Sequence, residues 1–437
     1  MLKIKKYQLK KEQGKMKLNK IKLILFSVII LCVLSSCNKN CGKKSAALLY
    51  ELNSNNTGYI VVGIDYSKYS EKATIISIPK KYRRLPVVGI KESAFKEREK
   101  ITKIEIPNSV TSIGDFAFSG CTSLTSIIIP DSLTSIGSGA FSGCTSLTSI
   151  EIPSSVKSIK TGAFEGCTSL TSIEIPNSVS SIGYEAFKNC TSLTSIEIPN
   201  SVTSIGFGAF GNCTSLTSIT LPFIGNGSDK THFGYIFGAS SDIYNSQYVP
   251  TSLKEVVITC GAKIDKSAFS GCTSLISIVI PNSVTSMGDS AFRGCTSLTS
   301  IEIPNSVSSI GYEAFENCTS LTSIEIPNSV TSIGFSAFSN CTSLTSIEIP
   351  NSVTAIEFSV FSGCTSLTSI EIPNSVTSIG SGAFSGCTSL TNVYFIGTLE
   401  EWRIIRDMSD TSTLEYYAEH IYVLDENNEY VEIDNNN

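Results

Sequence analysis

Apolar positions along most of this chain recur at a fixed interval and leave the same gaps each time. From Leu147 they fall at Leu147, Ile150, Ile152, Val156, Ile159, Ala163, Phe164 and Cys167, with Ser, Thr, Glu, Asn, Pro and Gly between them. The stretch Leu147-Thr-Ser-Ile150-Glu-Ile152 ends in alternation, which predicts a short strand with Ile150 and Ile152 inward and Glu151 outward. Pro153 ends that strand because it has no N–H to give to a ladder. Val156-x-x-Ile159 predicts a second short extended edge, and a Gly after the Ile in most copies, such as Gly137 or Gly183, is expected to permit the turn. Ala163-Phe164 then sends an aromatic ring into the interior. Cysteines mark the interval: they stand at 121, 144, 167, 190 and 213, and again at 272, 295, 318, 341, 364 and 387, with a step of 23 within each group.

A period in the twenties predicts a leucine-rich-repeat-like solenoid with one coil per repeat. One coil alone has too few large apolar side chains to offset the ordering of its backbone. Stacked coils bury both flanks and share strand hydrogen bonds, so the repetition itself is the expected source of stability. The predicted fold class is therefore a repeat solenoid, mostly short parallel β-strands joined by turns and short helical or 3-10 segments, elongated and curved.

The pattern assigns the remaining segments. Residues 48–100 read as an N-terminal cap hairpin followed by an irregular first repeat, 101–392 as the solenoid, and 393–437 as a C-terminal cap carrying the single Trp402. Inside the solenoid, 222–252 form an irregular island rich in Gly and aromatic residues. Two readings of the island stand: its "FGYIFG" is a modified coil whose rings fill the core, or His232, Phe233, Tyr235, Tyr244 and Tyr248 project from it and touch a partner.

The first 36 residues follow another rule. Lys17, Lys20 and Lys22 precede an apolar run from Leu23 to Leu34, about a dozen residues against the roughly 20 that a membrane-spanning helix needs. This is the form of an export signal, with Met16 a candidate true start. Leu34-Ser35-Ser36-Cys37 resembles the bacterial lipobox, which implies lipid on Cys37, a polar tether over 37–47 and attachment to a membrane. Asn38 rather than Asp after that Cys resembles the sorting pattern for export beyond the inner membrane, hence an outer-membrane or cell-surface location. The alternative is an ordinary cleaved signal or a short anchor, with Cys37 incidental.

Composition excludes several chemistries. A net charge of -5 with 16% charged residues offers no basic patch for nucleic acid. His232 and His420 are the only histidines, no catalytic or phosphate-binding motif occurs, and neither an enzyme activity nor a cofactor is expected. Metal sites want Cys two to four residues apart, whereas the periodic ones stand 23 apart, so no metal is assigned and the thiols are expected to pack as small buried groups. Cys260 lies outside that phase. The outward strand slot carries Glu105, Glu151, Glu174, Glu197, Glu302, Glu325, Glu348 and Glu371, interrupted by Ile128, Thr220, Val257 and Val279 and ending at Tyr394. With the neighbouring Thr and Ser these columns predict a polar sheet face: a solvated stripe copied by duplication, or a surface for a basic protein or divalent cations.

Copies of "L-T-S-I-E-I-P-N-S-V-T-S-I-G-x-x-A-F-x-x-C-T-S" resemble the BspA-type leucine-rich repeats of bacterial surface proteins over about 73–396. The resemblance implies an adhesin-like recognition protein, because such proteins are associated with attachment to matrix proteins and with coaggregation. It implies a protein partner on a host or neighbouring cell and names no ligand. A structural coat or spacer without a specific ligand is the alternative, and a glycan-binding module the remote one; the oligomeric state is open. The anchor has a direct test: cells expressing the chain should incorporate labelled palmitate into it, and the Cys37→Ala variant should take up none.

Overall fold

Leu147, Val156, Phe164 and Cys167 have no exposed surface at all, and Ile150, Ile152 and Ile159 are buried beside them. The same eight positions are buried in coil after coil, forming one continuous core from Val61 to Val423. The structure is a computed structural model that describes residues 48–65, 74–225, 227–228, 230–408, 414, 416 and 418–433. The export signal, Cys37 and the tether lie outside the described residues.

Two strand stacks flank the core. The first is built from the Ile-x-Ile stretch of each coil, as in Ser195–Glu197, Ser218–Leu221, Glu255–Ile258, Ser277–Val279 and Ser300–Ile301, which pair in parallel. The second comes from the following Ser-Ile pair, as in Ser158–Ile159, Ser181–Ile182 and Ser204–Ile205. In regular coils the register advances by 23, for example Ser195 opposite Ser218, so like residues always face like. Pro373 joins its strand while other prolines in that slot fall just outside, and all act as the corner from which a turn returns, as when Val156 N–H donates to the Pro153 carbonyl at 3.0 Å. The far corner is a succession of such turns rather than a helix: Ala163 N–H reaches the Lys160 carbonyl at 3.2 Å and Cys167 N–H the Phe164 carbonyl at 3.2 Å. Among the described residues, 3-10 helices occur only at Phe233–Phe237 and Asp242–Tyr244, inside the island.

The residue before each periodic Cys is left-handed. Its φ is 71° at Gly166, 61° at Asn189 and 60° at Asn317, which explains why only Gly or Asn occupies the slot over most of the repeats. The other recurring Gly has a different reason from the one its place after Ile suggested. At Gly311 φ is ordinary, but a Cβ would lie 2.5 Å from the Asp289 nitrogen and 2.5 Å from the Gly288 carbonyl carbon of the preceding coil. This Gly permits close stacking rather than a turn, and its N–H crosses the gap to donate to the Met287 carbonyl at 2.9 Å. Lys91, Lys160, Asp265 and Glu357 stand in that slot in other coils. Lys91 keeps the crossing, its N–H donating to the Val61 carbonyl at 2.8 Å. At Lys160 and Glu357 the strands Ser158–Ile159 and Ala355–Ile356 pair forward with the next coil but, among the described residues, not backward with the previous one.

Each end is closed differently. An antiparallel hairpin of Leu48–Leu52 and Tyr59–Ile64 covers the second stack at its start. At the other end Asn392–Thr398 leads into the helix Leu399–Met408, whose first turn carries a capping box: Glu401 N–H donates to Thr398 Oγ1 at 3.3 Å, and Thr398 N–H donates to Glu401 Oε2 at 2.8 Å. Trp402 is buried on that helix, 5.5 Å from the Phe395 ring. A second antiparallel hairpin, His420–Leu424 with Tyr430–Ile433, extends the first stack.

The close approach can be measured. Gly311→Ala should destabilise thermal unfolding by about 1–3 kcal/mol through overpacking, while Ser381→Ala on the solvent side should change it by less than about 0.5 kcal/mol. Equal effects would mean that the coils do not meet this tightly.

Candidate recognition surface

The first strand stack exposes one broad face. Glu151, Glu174, Glu197, Glu302, Glu325, Glu348 and Glu371 are exposed on it and Glu105 is half-buried. Parallel bridges set Glu151 against Glu174, Glu302 against Glu325 and Glu348 against Glu371, so the carboxylates form two runs one coil apart. Between the runs the slot holds Thr220, Val257 and Val279, and Val257, read from the sequence as outward, is only 6% exposed. An open groove of about 500 Å³ lies beside the second run, lined by Glu325, Pro327, Asn328, Glu348 and Pro350 among others. Among the described residues no group of three or more His, Cys, Asp or Glu side chains gathers as a cation set.

The hydroxyls around this face are not free polar decoration. Thr194 Oγ1 donates to the Thr171 carbonyl at 3.4 Å, Thr168 Oγ1 to the Thr145 carbonyl at 3.3 Å and Thr203 Oγ1 to the Ser180 carbonyl at 3.2 Å. Ser178 Oγ donates to the Val156 carbonyl at 2.7 Å. All four are repeated columns that tie each coil to the one before it, so the face offers a partner mainly its strand Ser and Glu side chains.

At the C-terminal end the Glu column runs into tyrosine. Glu371, Tyr394, Tyr422 and Glu432 sit in successive register. Tyr394 stacks on Tyr422 with ring centres 5.0 Å apart and meets Tyr430 edge-on at 5.2 Å. Burial, with a smaller contribution from the Glu371 carboxylate, raises the Tyr430 hydroxyl above its ordinary pKa. His420 closes the group through a 2.6 Å contact between its Nδ1 and Glu432 Oε1.

The island divides between the two readings of its sequence. Phe233 is fully buried 5.0 Å from the Phe269 ring and His232 is buried beside it, so neither can touch a partner. Asn245, itself completely buried, holds this coil in place: Oδ1 accepts from Gly234 N–H at 3.0 Å and lies 3.3 Å from His232 Nδ1, while Nδ2 donates to the Ser270 carbonyl at 2.9 Å. Burial lowers the His232 pKa. Tyr244 and Tyr248 are exposed, and Tyr235 is half-buried. The extra length is contained, because Ser218–Leu221 pairs directly with Glu255–Ile258 across it.

The periodic thiols form a sealed column. All eleven are free and buried, and ten donate to a Phe carbonyl of a preceding coil, as Cys167 Sγ does to Phe141 at 3.2 Å. Burial pushes the Cys121, Cys213 and Cys387 thiols up to about 12. Cys260 is free and exposed.

Sequence reasoning passed over one set of surface residues. The position just after the slot of the close-packed Gly, which Glu357 fills in one coil, is variable, and it carries Tyr184, Tyr312, Phe335 and Phe358, exposed by 46%, 53%, 45% and 52%. Tyr184 stacks on half-buried Phe207 at 5.8 Å and Tyr312 on Phe335 at 5.1 Å. The available signal was variation itself, aromatic residues entering an otherwise uniform repeat.

The profile of the BspA type leucine rich repeat region (6 copies) matches residues 88–217, 181–233, 241–325 and 308–404. Among solved structures, a leucine-rich repeat protein from Bacteroides ovatus is 32% identical, covering 83% of this chain and 97% of its own, with a TM-score of 0.50. A leucine rich cell surface protein from Faecalibacterium prausnitzii is 28% identical over 85% of this chain and 98% of its own, with a TM-score of 0.36. No curated protein matches.

The thiol column makes the fold sensitive to alkali. Each buried thiol holds its proton to a higher pH folded than unfolded, so the folded state binds more protons above about pH 9 and loses stability as pH rises toward about 12. The unfolding midpoint should be steady near neutrality and fall steeply above about pH 9. At about pH 8, iodoacetamide should label Cys260 and none of the eleven buried thiols without denaturant; labelling of the column in the native protein would contradict its sealing.

Proposed function

This chain belongs to the BspA-type leucine-rich-repeat family, and on that premise we propose that it is a surface recognition protein of the adhesin-like kind. Proteins of this family are commonly found at cell surfaces, and leucine-rich-repeat solenoids commonly serve as scaffolds for protein–protein contact. In this reading lipid on Cys37 tethers the chain to the bacterial envelope, at the outer membrane or cell surface, and the first strand stack faces a protein of the host or a neighbouring cell.

The observation that carries the proposal is the outward Glu series, broken by Thr220, Val257 and Val279 and ended by tyrosines. Charged positions in a column steer a basic partner and set its register. Tyr394, Tyr422 and Tyr430 supply the large amphipathic side chains that anchor protein contacts. The solvated carboxylates give modest energy one by one, which suits a contact spread along many coils.

A panel of immobilised host-matrix and cell-surface proteins, probed with the intact chain, provides the test. Replacing Glu302, Glu325, Glu348 and Glu371 with Lys should weaken capture by at least about tenfold, and added salt should weaken wild-type capture in the same direction. Tyr244→Ala with Tyr248→Ala should leave capture intact, because those side chains belong to the helical turns of the island and not to the strand slot that carries the Glu series. Loss only in the Tyr244/Tyr248 variant would move the contact to the island, and capture of nothing on the panel by a folded chain would remove the proposal.

A further inference from the structure

The variable position after the slot of the close-packed Gly forms a single column, because each coil's backbone locates it. Gly162 N–H donates to the Tyr184 carbonyl at 2.9 Å, Glu185 N–H to Phe207 at 3.1 Å and Gly208 N–H to Tyr235 at 3.0 Å. In the later coils Ser290 N–H donates to Tyr312 at 2.6 Å, Glu313 N–H to Phe335 at 2.9 Å and Ser336 N–H to Phe358 at 3.0 Å. Two triplets of aromatic residues therefore stand in the same slot, three coils each. Two coils separate them, and their slot residues are exposed Lys266 followed by half-buried Asp289. Beyond the triplets the slot turns small and polar, at Thr161 on one side and Ser381 on the other.

Read from either end, this column has the same order of character: polar, three aromatic residues, a charge, a charge, three aromatic residues, polar. Only the two central charges differ, and they are opposite. That is the pattern a self-complementary contact requires, since in a two-fold pair residue i meets residue j and j meets i. We propose that the column is the contact of a dimer in which a second copy of this chain packs antiparallel, about an axis between the coils of Lys266 and Asp289. Phe207 then meets the second copy's Phe335, Tyr184 its Phe358 and Tyr235 its Tyr312. Lys266 meets the second copy's Asp289, and every one of these contacts is made twice.

The second copy is the occupant that both halves of the column favour. A basic ligand would be matched by Asp289 and opposed by Lys266, whereas a second antiparallel copy matches both. Tyr184 stacks on Phe207 and Tyr312 on Phe335, while Tyr235 meets Phe207 edge-on at 5.3 Å, and exposed rings of this kind suit contact with other rings and aliphatic side chains. One column of rings is narrower than the roughly 800 Å² per partner of a tight interface, so the association should be weak, with a Kd of about 1–100 µM. The contact closes at two copies, unlike an open coat.

Sedimentation of the full chain under reducing conditions, over about 1–300 µM, tests this. The wild type should show a reversible monomer–dimer equilibrium. Phe335→Ser with Phe358→Ser should weaken it at least about tenfold. Lys266→Asp alone and Asp289→Lys alone should each weaken it, and the two together should restore it to within about threefold of wild type, because the swapped charges again meet across the axis. Circular dichroism melts matching the wild type would show that the variants remain folded. A chain that stays monomeric at the highest concentration, that grows past two copies, or whose double swap is no better than the single changes would overturn the proposal. Association through the apolar segment 23–34 would be indifferent to all four substitutions, and would overturn it as well.

Discussion

Every coil must lie one hydrogen bond from the coil before it, and nearly every repeated residue serves that constraint. Backbone donors cross at the strands, at the close-packed Gly and at the far corner. Side chains repeat the crossing, with Thr, Ser and Cys each donating to a carbonyl one coil back. Phe rings stack in the core at 5.3 to 5.9 Å between regular neighbours, as Phe292 on Phe315 and Phe338 on Phe361. Because the identical residue is always found one step away, any side chain whose donor and acceptor are one coil apart is satisfied everywhere at once. That is why a chain can repeat one phrase with so little change.

The same constraint sorts the surface. Positions engaged in stacking are held uniform and have little left to offer a ligand, which applies to most of the Thr and Ser that look like a polar display. Freedom to vary remains at the outward strand slot and at the slot after the close-packed Gly. The first holds the Glu runs that end in Tyr394, Tyr422 and Tyr430, and the second holds the two aromatic triplets. Recognition and self-association, as proposed here, would use different faces of one stack and need not compete.

Departures from the repeat show what the stack tolerates. Lys160 and Glu357 stand where the second strand stack is interrupted, while the buried columns run on unbroken. The island adds a coil of different composition, and it is accepted because Phe233 fills the core and Asn245 satisfies the buried backbone around it. Repetition ends when a sheet edge is covered by a hairpin or the core by a helix, and Trp402 supplies in one side chain the apolar bulk that a further coil would otherwise bring.

The sequence alone determined the period, the inward positions from Leu147 to Cys167, the outward direction of Glu151 and its equivalents, and the free buried state of the periodic thiols. These follow from local alternation and from a spacing that brings like residues together, so no distant information is needed. It also identified the resemblance that membership of the family bears out. The role of Gly311, the burial of Val257, His232 and Phe233, the engagement of the Thr and Ser hydroxyls, and the placing of Tyr235 in one column with Tyr312 belonged to the tertiary structure. Each depends on which atoms of a neighbouring coil lie within a few ångströms, and that distance is set by stacking rather than by any order of residues along the chain.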